Sequence, residues 1–234
     1  MRVLIVTLAA VGFLATGLCR GDVIDFEDCF DGELVTAKYA GAPWYTTFAL
    51  EDIAGRGRID PQVAEVATDR TAFAGPHRTE EACDPNYHGP NDMPEADQGV
   101  GCFFLTDDGA WDEWFYPMII TYCDPEPVHE VGGVVIDLDR REDNTTWESL
   151  RFTAFNTAGD PLATLDMEAP VYPLGEGTAL PWQISYEAAS IATVRIEFTG
   201  VRPVPGMAFD NFWHRSLINP VARRNWSTIK GLYR

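Results

Sequence analysis

Residues 111–116 read Trp-Asp-Glu-Trp-Phe-Tyr, with Thr106-Asp107-Asp108-Gly109 just before them. Aromatic faces beside carboxylates suit a sugar, whose axial C–H surface packs on a ring while its hydroxyls donate to the acids. Trp111, Glu113, Trp114 and Tyr116 are therefore the candidate ligand-binding residues, and Trp44 with Tyr45, and Trp182, are candidate further platforms. The competing reading is packing: Pro117-Met118-Ile119-Ile120 follows, so the run reads as a strand whose alternate aromatics enter a core. Strand parity accommodates both, since Trp111, Glu113 and Phe115 share one face and Asp112, Trp114 and Tyr116 the other.

Catalysis has less behind it. Paired carboxylates run glycoside hydrolysis, but among 36 acidic residues almost any spacing arises by chance, and no pair stands out. There is no Gly-x-Ser-x-Gly elbow and no His-Glu-x-x-His helix, and Gly55-Arg56-Gly57 lacks the other glycines and the lysine of a phosphate loop. No catalytic residue is assigned. A hydrolase ranks third, behind a non-catalytic binding module and a structural or adhesive protein.

The compartment follows from the first residues. Arg2 precedes an apolar run from Val3 to Leu14 broken only by Thr7 and Gly12, and Ala15-Thr16-Gly17 offers small residues for cleavage. Residues 1–17 thus read as a signal peptide, against the alternative of a buried N-terminal helix. No later stretch has the length and apolarity of a transmembrane helix, so the expected location is secreted or at the cell surface. In an oxidising compartment Cys29, Cys83, Cys102 and Cys123 form two disulfides most simply, with three connectivities open. Cys83 with Cys102 would clip the irregular acidic stretch between them, which leaves Cys29 with Cys123. Zinc is the competing use of His77, Cys83 and His88, but their spacing matches no established signature.

The 234 residues hold 36 acidic and 17 basic side chains, a formal charge of −19. Residues 22–210 carry all 36 acids against ten basic groups, whereas residues 211–234 carry five basic groups and no acid. Nucleic-acid binding needs a basic patch that the body lacks.

Val23 to Glu27, Gly133 to Leu138, Leu150 to Phe155, Ala163 to Asp166 and Ala192 to Phe198 alternate or are rich in β-branched and aromatic residues, which predicts strands. Gly159-Asp160, between two of them, predicts a hairpin. Only Pro61 to Phe73 and the tail after Asn219 have helical character. With 20 glycines and 16 prolines, the pattern predicts an all-β chain, an antiparallel β-sandwich spanning residues 22–215, with a short helical basic tail over 216–234. Residues 79–101 read as a long excursion held by a disulfide.

Val23-Ile24-Asp25-Phe26-Glu27, Asp31-Gly32, Tyr39-Ala40-Gly41, Phe103 to Asp107, the hairpin from Phe152 to Ala163, and Ile191 to Phe198 leading to Met207-Ala208-Phe209-Asp210-Asn211-Phe212 resemble the jelly-roll domains of secreted bacterial surface proteins. These are similar to galactose-binding-like and carbohydrate-binding-module sandwiches. The resemblance implies that the first and last strands lie together with a structural calcium at their junction, which Glu27 and Asp210 would ligate; Asp25 and Asp28 are candidate additional ligands. A physical argument runs alongside it. Asp210 shares strand parity with Ala208 and Phe212, so it is expected to point toward an apolar face, where a lone carboxylate is costly, and oxygen-only ligands select calcium. The alternative is that Asp210 ends a strand and turns the chain with Asn211. In the tail, Ala222, Trp226, Ile229 and Tyr233 recur on one helical face. Its last residues are similar to the short basic tails that close some exported bacterial proteins, which implies a partner in the sorting machinery. An envelope surface and a frayed, solvated terminus are the alternatives.

Overall fold

The computed structural model describes residues 23–30, 33–51, 62–65, 99–101, 103–106, 116–138, 140, 147–170, 178–201 and 208–216. Their strands, in chain order, are β1 (Val23–Ile24), β2 (Glu33–Leu34), β3 (Thr46–Leu50), β4 (Gln62–Glu65), β5 (Phe103–Thr106), β6 (Met118–Tyr122), β7 (Val128–Ile136), β8 (Ser149–Phe155), β9 (Pro161–Glu168), β10 (Ala179–Ser185), β11 (Thr193–Phe198) and β12 (Ala208–Ser216). Among the described residues no helix is long and apolar enough to cross a membrane.

Two sheets form. One has seven strands, in the order β10-β7-β12-β5-β4-β2 with β1 also on β12; the other has five, in the order β3-β6-β11-β8-β9. Pairing within both is antiparallel throughout. The expected antiparallel sandwich is the fold, and its first and last strands are neighbours.

Period-two patterning builds the core between the sheets. Met118, Ile120 and Tyr122 of β6, Leu150, Phe152 and Ala154 of β8, and Val194 and Ile196 of β11 face inward from one side. Leu105, Val131, Val135, Trp182, Ile184, Phe209 and Phe212 meet them from the other. Aromatic rings lock the two layers: Phe48 lies 5.0 Å from Phe212, and Phe152 stacks on Trp182 at 4.7 Å. The predicted hairpin joins β8 to β9. There the Asn156 side-chain oxygen accepts the N–H groups of Ala158 and Asp160 at 2.9 Å each, and Gly159 takes a φ of +83° that glycine adopts without strain.

The helical expectation over 61–73 is overturned where it is described. Residues 62–65 form β4, which pairs with β5 on one edge and β2 on the other, and two ladders outweigh a weak local preference. The rest of 66–98, and the tail from 217, lie outside the described residues. The expected domain end at 215 falls one residue inside β12.

The outer faces of the two sheets differ. That of the five-stranded sheet is ionic: Arg151 holds Asp166 through two bonds of 2.7 and 3.2 Å, and Arg195 pairs with Glu51 at 2.7 Å and with Glu197. That of the seven-stranded sheet carries a second apolar cluster of Phe104, Ile136 and Ala208, all without exposure, packed with Val100 and Val134. Just after β11, Gly200 leaves no room for a side chain. A Cβ there would stand 2.5 Å from the Trp147 carbonyl oxygen and 2.9 Å from the Ser149 nitrogen, both backbone. Gly200→Ala is therefore expected to cost about 1–3 kcal/mol as a strained insertion, read as a lower denaturation midpoint.

Candidate functional site

β12 organises the candidate site through one irregularity. Ala208, Phe209 and Asp210 pair in register with Ile136, Val135 and Val134; the register then shifts before Trp213 meets Gly132, and Asn211 between them has a φ of +53°. A bulge of this kind inverts side-chain parity beyond it. Asp210 and Ala208 thus share the outer face with Val134 and Ile136, while Phe212 turns inward against Phe48. The expectation that Asp210 shares a face with Ala208 holds, but the shared face with Phe212 is corrected, because the bulge intervenes.

No part of Asp210 reaches solvent. One carboxylate oxygen accepts the Asn211 N–H at 2.7 Å and the other the Gly101 N–H at 3.4 Å. Glu27, just beyond β1, reaches the same segment, where its Oε1 accepts the Phe103 N–H at 3.1 Å. The approach is close: a Cβ at position 101 would lie 1.8 Å from Glu27 Oε1, so a side chain there would displace the Glu27 carboxylate. The Asn211 side-chain amide donates to the Gly99 carbonyl at 2.9 Å, tying the bulge to the same segment. Asp25 accepts the Glu27 N–H at 3.4 Å.

Burial pushes the Asp210 carboxyl well above the usual carboxylate range; the Asn211 and Gly101 N–H groups oppose that shift, and the negative charges of Asp25 and Glu27 add to it. A desolvated carboxylate beside two more acids is costly unless donors or a cation meet it, and the Asn211 and Gly101 N–H groups are the donors in contact with it. The three acids do not form a cage: among the described residues no group of three or more His, Cys, Asp or Glu side chains is arranged to hold a metal ion. The carboxylates that would hold a cation at this junction are those of Asp210, Glu27 and Asp25, which lie close enough for their charges to act on one another.

The expected sugar platforms divide. Trp111, Glu113 and Trp114 lie outside the described residues. Tyr116 does not present a ring to solvent: it is 6% exposed and belongs to the main core, because it opens the alternating apolar run that continues into β6. Trp182 is corrected likewise, being 3% exposed and stacked on Phe152. Trp44 is half-buried and packs edge-on against Tyr39 at 5.4 Å.

The expected Cys29–Cys123 bridge is not formed, and both thiols are free. Cys29 Sγ sits instead 3.1 Å from Tyr39 Oη and 3.1 Å from Lys38 Nζ. Burial pushes this thiol up, against the lowering effect of its hydrogen bonds to Tyr39 and Lys38. Cys123 is exposed just after β6, its N–H donating to the Tyr45 carbonyl. Cys83 and Cys102, like His77 and His88, lie outside the described residues.

One constellation was missed from sequence because three strands assemble it. On the outer face of the seven-stranded sheet, Gln183 of β10, Gly132 of β7 and Trp213 of β12 form one cross-strand row, and Ser185, Glu130 and Arg215 form the next. The Trp213 indole lies over Gly132, where a Cβ would stand 2.4 Å from the ring, and the Arg215 guanidinium lies 4.9 Å from the ring centre. Glu130 accepts from Gln183, from Ser185 at 3.2 Å and from Arg215 at 3.4 Å. The readable signal was the Gly132-Gly133 pair inside a strand pattern, which marks a close approach by another group.

No family model and no curated protein matches the sequence. Solved structures similar to the chain include adhesin domains and the enzymatically active domain of a bacteriophage tailspike protein. The K1 cleaved adhesin domain of Lys-gingipain from Porphyromonas gingivalis is 9% identical, covering 79% of this chain and 96% of that one, with a TM-score of 0.41. TmCBM61, solved with β-1,4-galactotriose, is 12% identical, covering 85% and 97%, with a TM-score of 0.39. A DUF4465 family protein from Bacteroides caccae is 11% identical, covering 83% and 98%, with a TM-score of 0.39.

Proposed function

We propose that this chain is an exported, non-catalytic β-sandwich module, stabilised by calcium where β1 meets β12, that binds carbohydrate at a cell surface or in the extracellular matrix. The observation that carries the proposal is the wholly buried Asp210 carboxylate, facing outward from β12 beside Glu27 and Asp25. Calcium would neutralise that charge and tie β1, the bulge of β12, residues 99–101 and Phe103 into one unit. Support for the ligand half is the aromatic and acidic run of Trp111, Glu113 and Trp114, which falls between a strand of one sheet and a strand of the other. The basic residues 216–234 would engage sorting machinery or the envelope surface.

The second reading, a structural or adhesive protein without a sugar ligand, draws on the burial of Tyr116 and Trp182, which removes two of the expected platforms. A glycan array probed with the folded mature chain separates the two. Under the first reading the chain binds a defined glycan set, and Trp111→Ala or Trp114→Ala alters it; a blank array on folded protein sinks the ligand half. Deleting residues 219–234 is expected to abolish surface retention while leaving the sandwich folded. Intact retention after that deletion would dispose of the role given to the tail.

A further inference from the structure

We propose that the patch where β10, β7 and β12 run side by side on the outer face of the seven-stranded sheet is a saccharide-binding shelf, centred on Trp213 and suited to neutral pyranose units. The proposal rests on the carbohydrate reading above and deepens it by naming a surface and a ligand class.

The shelf exists because of two backbone features. The bulge at Asn211 puts Trp213 rather than Phe212 on the outer face, and Gly132 lets the indole lie flat across β7, since a Cβ there would collide with the ring at 2.4 Å and with the Trp182 carbonyl oxygen at 2.7 Å. A flat, half-buried indole offers apolar area at little entropic cost, because the sheet beneath already fixes its orientation. Beside it stands a polar fringe contributed by three strands. Gln183, Ser185 and Arg215 are all exposed, and all three converge on the Glu130 carboxylate.

This combination selects its occupant. A ring face edged by one carboxylate, one amide and one guanidinium matches a pyranose, with its C–H face on the indole and neighbouring hydroxyls shared among Glu130, Gln183 and Arg215. The guanidinium, half-exposed and resting over the ring, would move aside to bond a hydroxyl. A wholly apolar occupant would desolvate the fringe without replacing its hydrogen bonds. A sulfated or uronic glycan would approach a body with 36 acids against ten basic groups and meet an arginine already paired with Glu130, so long-range repulsion opposes it.

The test uses the mature chain on an array of neutral and anionic glycans, with the strongest neutral hit then titrated by calorimetry against the parent, Trp213→Ala, Gln183→Ala and Trp111→Ala. Trp213→Ala and Gln183→Ala are each expected to weaken binding by roughly tenfold or more. Gln183 is exposed, so its variant should keep the parent melting temperature and show that the loss is not unfolding. Parent-like binding by both variants, with loss only in Trp111→Ala, overturns the shelf and leaves the carbohydrate reading standing. A blank array overturns both. Binding confined to anionic glycans overturns the ligand class.

Discussion

Phe212→Ala is expected to lower the free energy of unfolding by about 3–5 kcal/mol, the range for truncating a large aromatic in a close-packed core. The ring is 1% exposed and lies within reach of Phe26, Phe48, Trp182 and Phe209, with centroids 5.0 to 6.4 Å away. Phe48 comes from the five-stranded sheet and Trp182 and Phe209 from the seven-stranded one, so the space left lies between two layers whose spacing the other rings hold. Against a typical total of about 5–15 kcal/mol, the loss would bring the domain near its threshold. Equilibrium denaturation should show a lower midpoint with an unchanged slope, and Phe212→Leu should recover most of the difference. A loss below about 1 kcal/mol, well under that range, would mean that the two layers are not joined through this residue.

Asp210→Asn should change sign with calcium. In chelator, the folded state raises the carboxyl of Asp210 above its unfolded value, so the folded chain binds more protons than the unfolded one. Its contribution to stability is then full below the ordinary carboxylate range and is lost as pH rises through the raised value. Asparagine removes the charge and keeps an acceptor for the Asn211 N–H, so at neutral pH in chelator the variant should equal or exceed the parent. With free calcium at about a hundred times its Kd the parent should gain about 3 kcal/mol and overtake the variant, which should not respond. Thermal melts of both proteins in chelator and in calcium check this. Parallel responses would remove calcium from the β1–β12 junction.

What could be read in advance depended on whether a residue's partners were local. β8, β9 and their hairpin were legible because alternation, a turn glycine and an Asx side chain all lie within twenty positions. β10 was not, although Leu180, Trp182 and Ile184 alternate, because Pro181 argues against a central strand; the structure places β10 at the sheet edge, where proline is tolerated. Asp210 stood out as a carboxylate among apolar neighbours, yet its face was half misread, since nothing in the residue types marks the bulge at Asn211. The Trp213 row left only the Gly132-Gly133 pair as a trace, because Glu130, Gln183 and Trp213 are brought together by sheet order alone. Tyr116 and Trp182 erred in the opposite direction, because composition alone does not tell a ring that binds from a ring that packs.

The pairing of β1 with β12 also bears on when the domain can form. Val23 finds its backbone partner only at Trp213, and Ile24 only at Phe212, so the contacts that close the sandwich link the extremes of the described chain. Such high contact order slows folding, because loop-closure entropy is spent before those contacts return anything. Until β12 is in place, β1, β5 and β7 each lack a neighbour, so the seven-stranded sheet is divided into pieces that only this strand joins.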